Sequence, residues 1–375
     1  MINPLIESHF TKMESSLELF ALESYKALIV DNIDGNIAYS PFSAFSCMLL
    51  GGLMSDGNTS KQIRQALGKI SDRLSQEQVA SKLFEMCQYF VENGCISISN
   101  RAWTNQKLNI PHHFFRIVEE FLHCDVIETS FPEPACSIIN QHVNEATHGL
   151  IPSIFTPDQL PHDMLCVLTN VIYFKDKWFS SFDEEWTLDG KWYGPVEKMH
   201  PLMSTSGKFN YTETRQYQAL SLPYKMKNLE MLIVLPKSKD LSAMNSIIKS
   251  MKTTQEICKS MKKERVIVKL PRFSVEWGPN SLKELFISLG IKDIFDSSKS
   301  TFLTHIPIDQ IMQKVVIKVD EKGTEAACIT YSTTKCAMSF FQPKEYQFFA
   351  DHPFMYFIRD SSNGIVLFSG VIVDP

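Results

Sequence analysis

The chain has 375 residues, 44 % of them hydrophobic and 21 % charged, with a formal net charge of −5. These are the proportions of a folded globular protein, and they exclude a disordered, collagen-like or disulfide-scaffold chain. No basic block offsets the negative balance, which argues against nucleic acid or an anionic membrane surface as partner.

The first residues carry Pro4 and Glu7 and lack the continuous apolar core of a secretory signal. No window is long and apolar enough to span a membrane. The expected setting is therefore cytoplasmic, or the exterior after export without a signal peptide. Leu17, Phe20, Ala21, Tyr25 and Ile29 recur at helical spacing and predict a helix over 15–30. A turn, a short strand and Ser40-Pro41 lead into a second helix over 44–54, apolar nearly all round and so interior. Asp56-Gly57-Asn58-Thr59 ends it and caps a helix over 60–67, and another amphipathic helix follows over 76–91.

Residues 95–104 alternate as a strand; 111–122 predict a helix, 126–131 a strand, and 137–148 a helix closed by Gly149. The run 164–174 is continuously apolar around Asn170, the pattern of a central strand buried on both faces. Strands are predicted at 191–202, 207–212, 217–223 and 229–235, with turn chemistry between them. Residues 242–262 have a helical period, and the basic run 249–265 reads as a solvated helix face rather than a polyanion site. A strand at 266–273, a helix at 281–289, a strand at 313–319 and a hairpin of 354–358 with 364–373 complete the chain. Helices dominate the first third and strands the rest, without repeat or linker. The fold class is therefore α+β, in one intertwined domain over 1–375.

Nine cysteines stand at irregular spacings with no CxxC pair, so they read as reduced thiols and not as a disulfide frame or a zinc site. No nucleophile elbow, phosphate loop or metal spacing occurs, and neither catalysis nor a cofactor or metal is expected.

The stretch 319–342 has a different logic. Thr324, Ala326, Cys328, Thr330, Ser332 and Thr334 are all small, whereas the alternate set Glu325, Ala327, Ile329, Tyr331, Thr333 and Lys335 admits bulk and charge. One small face and one permissive face suit a strand that passes over a filled core. Gly323 and the Ser/Thr run suit an exposed loop. The segment is a loop equipped to become a strand, followed by an oily cluster of Met338, Phe340 and Phe341.

The octapeptide DEKGTEAA starting at Asp320 closely resembles the hinge of the reactive-centre loop of serpins, the suicide inhibitors of serine proteases. Four further stretches resemble serpin motifs in the family's order: NIAYSPFS from Asn36, TNVIYFKDKW from Thr169, VIVKLPRF from Val266, and ADHPF from Ala350 with IVLFSG from Ile365. The chain is most similar to the ovalbumin-type leaderless intracellular branch. The resemblance implies three β-sheets, eight or nine helices and an exposed reactive-centre loop at about 321–345. A protease would attack that loop and form an acyl-enzyme, and the cleaved loop would enter the main sheet.

On this resemblance the hinge comprises Glu321, Gly323, Thr324, Glu325, Ala326, Ala327 and Cys328. The shutter beneath the sheet comprises Asn36, Ser40, Pro41, Ser43, Asn170 and Gln313; the family usually has histidine where Gln313 stands, so pH-dependence of the gate should be lost. Lys175, Trp178 and Arg272 fall at the breach, with Arg272 able to bridge to Glu321. The helix across the sheet carries His142 where a tryptophan is usual. Counting forward from the hinge puts the cleaved residue at Ala337, and counting back from Asp351 puts it near Phe340. Met338–Ser339 lies between and resembles the Met-Ser bond of elastase inhibitors, so it is the expected reactive bond, with Ala337, Phe340 and Phe341 as alternates. All suit a serine protease with an apolar specificity pocket, of the chymotrypsin, elastase or cathepsin G kind, held covalently by a monomer. Oxidation of Cys336 or Met338 could switch inhibition off. Two other readings stand beside inhibition: a non-inhibitory carrier or chaperone, and a cysteine protease inhibitor using the same loop.

Overall fold

Hydrophobic periodicity sets the helical layer. In the computed structural model, described for residues 4–30, 33–68, 70–71, 73–108, 110, 125–147, 149–303, 305–324 and 344–375, α1 (Pro4–Ile29) buries Leu17, Phe20, Ala21, Tyr25 and Ile29. This is the one-sided stripe that a 3.6-residue period requires. After β1 (Ile37–Tyr39), α2 (Pro41–Leu53) begins where the Ser40 hydroxyl accepts from the Ser43 N–H at 3.2 Å, with Pro41 in the first turn. Every residue of α2 is buried. α3 (Gly57–Ala66) and α4 (Arg73–Glu92) pack against it. The helix expected at 111–122 lies outside the described residues.

The main sheet is built from β2 (Ile96–Asn105), β3 (Asp125–Thr129), β4 (Cys166–Phe174), β11 (Phe273–Ser281) and β12 (Gln310–Asp320), in the order β3-β2-β4-β12-β11. All nine residues of β4 are buried, between antiparallel β2 and parallel β12. One face, with Leu168, Ile172, Ile311 and Val315, packs with Phe42 and Phe45 of α2. On the other, Val167, Val171, Met312 and Val316 pack with Ile139 and Val143 of α5 (Ala135–Ala146). Two short strands, β5 (Asp176–Lys177) and β13 (Gly323–Thr324), extend one end.

A second, nine-stranded sheet contains β1, β6 (Leu188–Tyr193), β7 (Glu197–Glu213), β8 (Tyr217–Pro223), β9 (Leu229–Pro236), β10 (Lys262–Pro271), β14 (Glu345–Phe349), β15 (Phe354–Asp360) and β16 (Val366–Ile372). The two smaller sheets that the resemblance implies are continuous here. The 17-residue β7 joins them, pairing β6 and β10 along most of its length and β8 at its end. The strands expected at 191–202 and 207–212 are thus divided elsewhere: the break falls at Gly194-Pro195-Val196, where proline has no N–H for a ladder, and Gly207 lies inside β7. The expected helix at 242–262 is likewise two short helices, α6 (Leu241–Ser250) and α7 (Thr254–Lys259), because Met251 and Thr253 are extended. The basic run 249–265 therefore spans the end of α6, all of α7 and the start of β10, not one helix face. With α8 (Lys283–Ser288), eight helices occur among the described residues. None of them is long and apolar enough to cross a membrane.

Candidate functional site: a forked sheet

β4 and β12 lie side by side, parallel, over seven paired positions from Gln310 with Val167 to Val316 with Tyr173. Past this point they part. The chain turns at Glu321-Lys322, where the Asp320 carboxylate accepts from the N–H groups of Lys322 (2.8 Å) and Gly323 (3.1 Å). β13 then runs back between β12 and β5, antiparallel to both: Val319 pairs with Thr324 and Asp320 with Gly323 on one side, Asp176 with Thr324 and Lys177 with Gly323 on the other. Gly323 has φ +154°, and an added Cβ would sit 2.2 Å from the Asp176 carbonyl oxygen and 2.6 Å from the Lys177 Cα. Backbone cannot yield as a side chain can, so only glycine fits.

Thr324 is fully buried, its hydroxyl 2.8 Å from the Tyr224 hydroxyl. Tyr224 stacks on Trp178 at 4.6 Å and 13°. The Trp178 indole donates to the Asp320 carbonyl (2.9 Å) and its backbone N–H to the Lys322 carbonyl (2.9 Å). Burial pushes the Tyr224 hydroxyl far above its usual pKa, so it stays a neutral donor and acceptor. The Glu321 side chain, 5 % exposed, accepts from the Arg272 guanidinium at 2.7 Å and from the Thr187 hydroxyl at 2.5 Å. Burial works against its charge. The hydrogen bonds from Thr187 and Arg272 outweigh that and hold the carboxyl below its usual 4.5. Lys175 is exposed beside β5.

Beneath the ladder lies a closed polar cluster. Asn170 Nδ2 donates to the Ser43 carbonyl (2.8 Å) and hydroxyl (2.5 Å). Gln313 Nε2 donates to Asn170 Oδ1 (2.6 Å) and to the Ser40 carbonyl (3.1 Å), while Gln313 Oε1 accepts from the Ser40 N–H (3.0 Å). The Ser40 hydroxyl donates to the Leu367 carbonyl at 2.7 Å. Ser40, Ser43, Asn170 and Gln313 are fully buried, and both amides are satisfied at each end. Pro41 only opens α2. Asn36 does not join the cluster: its Oδ1 accepts from the N–H groups of Val373 (2.7 Å) and Asp374 (2.9 Å), tying down the C-terminal strand.

Over the opposite face, α5 is bound to the segment that leads into β4. Asn140 Oδ1 accepts from the N–H groups of Ile154 (2.8 Å) and Phe155 (3.0 Å), and its Nδ2 donates to the Phe155 carbonyl (2.8 Å). His142 rests against Trp103, ring centroids 5.8 Å apart.

Glu325, Ala326, Ala327 and Cys328, with Ala337, Met338, Ser339, Phe340 and Phe341, lie outside the described residues, as does Cys336. Tyr224 and Thr187 were not singled out from sequence. They belong to no motif, and they reach Thr324 and Glu321 across separations of 100 and 134 residues. Cys87, Cys95, Cys136, Cys166 and Cys258 are free thiols, and burial pushes those of Cys87 and Cys95 up to about 12 and that of Cys258 to about 11. These three are not thiolate nucleophiles at neutral pH. Among the described residues no group of His, Cys, Asp and Glu could hold a metal ion. What the fork can do is mechanical: separating β4 from β12 exchanges one parallel ladder for two antiparallel ones around an added strand.

Comparison with known proteins gives a consistent result. The family profile of serpins (serine protease inhibitor) matches residues 15–375. The chain is 31 % identical to the leukocyte elastase inhibitor of Homo sapiens, over 97 % of this chain and 100 % of that one. It is 28 % identical to antichymotrypsin-2 of Bombyx mori, over 94 % and 95 % of the two chains. The crystal structure of Serpin48 from the insect Tenebrio molitor superposes with a TM-score of 0.83 at 25 % identity, covering 97 % of this chain and 98 % of that one.

Proposed function

The chain belongs to the serpin family, and on that premise we propose that it inhibits a serine protease once per molecule. Residues 325–343 act as substrate, and the acyl-enzyme is trapped when the cleaved segment enters the main sheet between β4 and β12. The observation that carries this reading is β13, two residues already antiparallel to both flanking strands and ending where the segment begins.

The protease serine attacks the carbonyl of Met338, the amine of Ser339 leaves, and an ester to Met338 remains. Ala337, Phe340 and Phe341 are the alternate sites. An apolar residue at this position selects a chymotrypsin-, elastase- or cathepsin G-like pocket, and the names of the relatives found for chymotrypsin and elastase support that class. Insertion from Thr324 through Thr334 adds about ten rungs, on the order of 10 kcal/mol net. That exceeds the margin of many domains. In this reading Ser40, Ser43, Asn170 and Gln313 form the gate that opens beneath the ladder. Gln313 can neither gain nor lose a proton in the physiological range, so the gate carries no histidine-like pH response.

The test is incubation with chymotrypsin, elastase, cathepsin G, trypsin and papain followed by a denaturing gel. A denaturant-resistant complex with one of the first three is expected, with a released C-terminal peptide that begins at Ser339. Cleavage without complex would place the chain with non-inhibitory carriers, and a complex with papain alone would move the target to cysteine proteases.

A further inference from the structure

We propose that His352 is a pH-responsive clasp: as an imidazolium it bridges the Asp351 carboxylate and the Pro236 carbonyl, and it fastens the link between β14 and β15 most tightly in mild acid. The link is Ala350-Asp351-His352-Pro353. Its backbone is tied on two sides. The Ala350 N–H donates to the Lys269 carbonyl of β10 at 2.9 Å, and the Asp351 carbonyl accepts from the Tyr193 N–H of β6 at 2.7 Å. Pro353 has no N–H to give. The tie to the end of β9 is made by a side chain instead. His352 is buried, with Nε2 2.7 Å from the Pro236 carbonyl oxygen and Nδ1 2.7 Å from Asp351 Oδ1.

A carbonyl oxygen and a carboxylate can only accept. A neutral imidazole has one N–H, so either tautomer would turn a nitrogen lone pair toward an oxygen; the imidazolium donates at both nitrogens and satisfies both partners. Burial works against the Asp351 charge. The hydrogen bond and charge of His352, with Lys239 Nζ 3.6 Å from Asp351 Oδ2, outweigh that and hold the carboxyl below its usual 3.8. Lys239 and Lys191 both rest on the Tyr193 ring, and Lys191 pairs with Glu197 at 2.6 Å. The two halves of the clasp answer pH with opposite sign. Asp351, depressed by folding, contributes stability above its unfolded pKa and loses it as pH falls through the folded value. A site that binds a charged ring contributes fully in acid and loses that contribution as pH rises and the proton leaves, from the ordinary histidine range near ~6.5 upward. Both halves are at full strength at about pH 5–6.

Melting of the intact chain at pH 5.5 and 8.5 tests the clasp without a target protease. His352→Gln can reach one acceptor but never gains a charge, so it should lower Tm by about 2 °C more at pH 5.5 than at pH 8.5. Asp351→Asn gives a neutral ring an amide N–H to accept from, so in that background His352→Gln should cost the same at both pH values. Nitrogen NMR of the wild type, labelled at histidine and assigned through His352→Gln, reads the ring directly and needs no variant to be stable. Both ring nitrogens of His352 should be protonated at pH 5.5, although burial alone favours the neutral ring. A neutral ring at pH 5.5, or a His352→Gln cost that is equal at the two pH values or larger at 8.5, would overturn the clasp.

Discussion

Glu321 and Arg359 show how differently two buried charges behave in this chain. Glu321 keeps its charge because Thr187 and Arg272 hydrogen-bond to it more strongly than burial penalises it, so its folded pKa lies below 4.5. A carboxyl depressed by folding contributes stability above its unfolded pKa, and that contribution is lost as pH falls through the folded value. Glu321→Gln should therefore cost stability at pH 7, and its Tm should converge on that of the wild type only as pH falls through the lowered folded pKa, where the wild-type carboxyl protonates; calorimetry across the acid range measures this. Arg359 is 1 % exposed and donates to Glu230 at 2.6 Å, to the Cys258 sulfur at 3.0 Å and to Gln255, while Glu230 also accepts from Ser221 at 2.5 Å. Arg359→Ala would leave the Glu230 carboxylate buried without its counter-charge, a loss of about 3–5 kcal/mol. Denaturant unfolding should show it as a lowered midpoint, and a change below 1 kcal/mol would mean that water reaches Glu230.

At the scale of elements, the polar lashing of α5 restrains the sheet beneath it. Asn140 satisfies three backbone groups of the segment that crosses back to β4. Asn140→Ala removes all three bonds and should destabilise by roughly 2–3 kcal/mol. Amide exchange should accelerate at 150–165 while β9, β15 and β16 stay protected. β13 is the complementary case, an element of two residues whose existence depends on one glycine. Gly323→Ala meets the backbone of Asp176 and Lys177, so Thr324 should leave its site and its amide exchange should rise to that of an exposed loop.

For the whole molecule, the arrangement is one sheet whose β4 and β12 part just before β13 begins. Thr324 already occupies the first inward position, fully buried against Tyr224. Thr324→Arg would drive a guanidinium into that site at a cost of several kcal/mol. The expected outcome is a normally folded protein that is cleaved by its target as a substrate, with no resistant complex and no rise in Tm after cleavage.

Period and residue type were enough to reveal much of this. The continuous apolar run around Asn170 marks a central strand, and Ser40-Pro41 marks the start of a buried helix. Both are local consequences of side-chain size and backbone geometry. The sequence could not reveal partners. That Tyr224 and Thr187 meet Thr324 and Glu321, that Asn36 holds the C-terminal strand instead of the amide cluster, and that β7 joins two sheets into one are decided by contacts between residues far apart in the chain. A periodicity says which face a side chain takes, but not what lies opposite it. Only the tertiary structure sets the fork, because the turn at Glu321-Lys322 gains its direction from Asp176, Lys177 and Trp178 on a strand about 150 residues away.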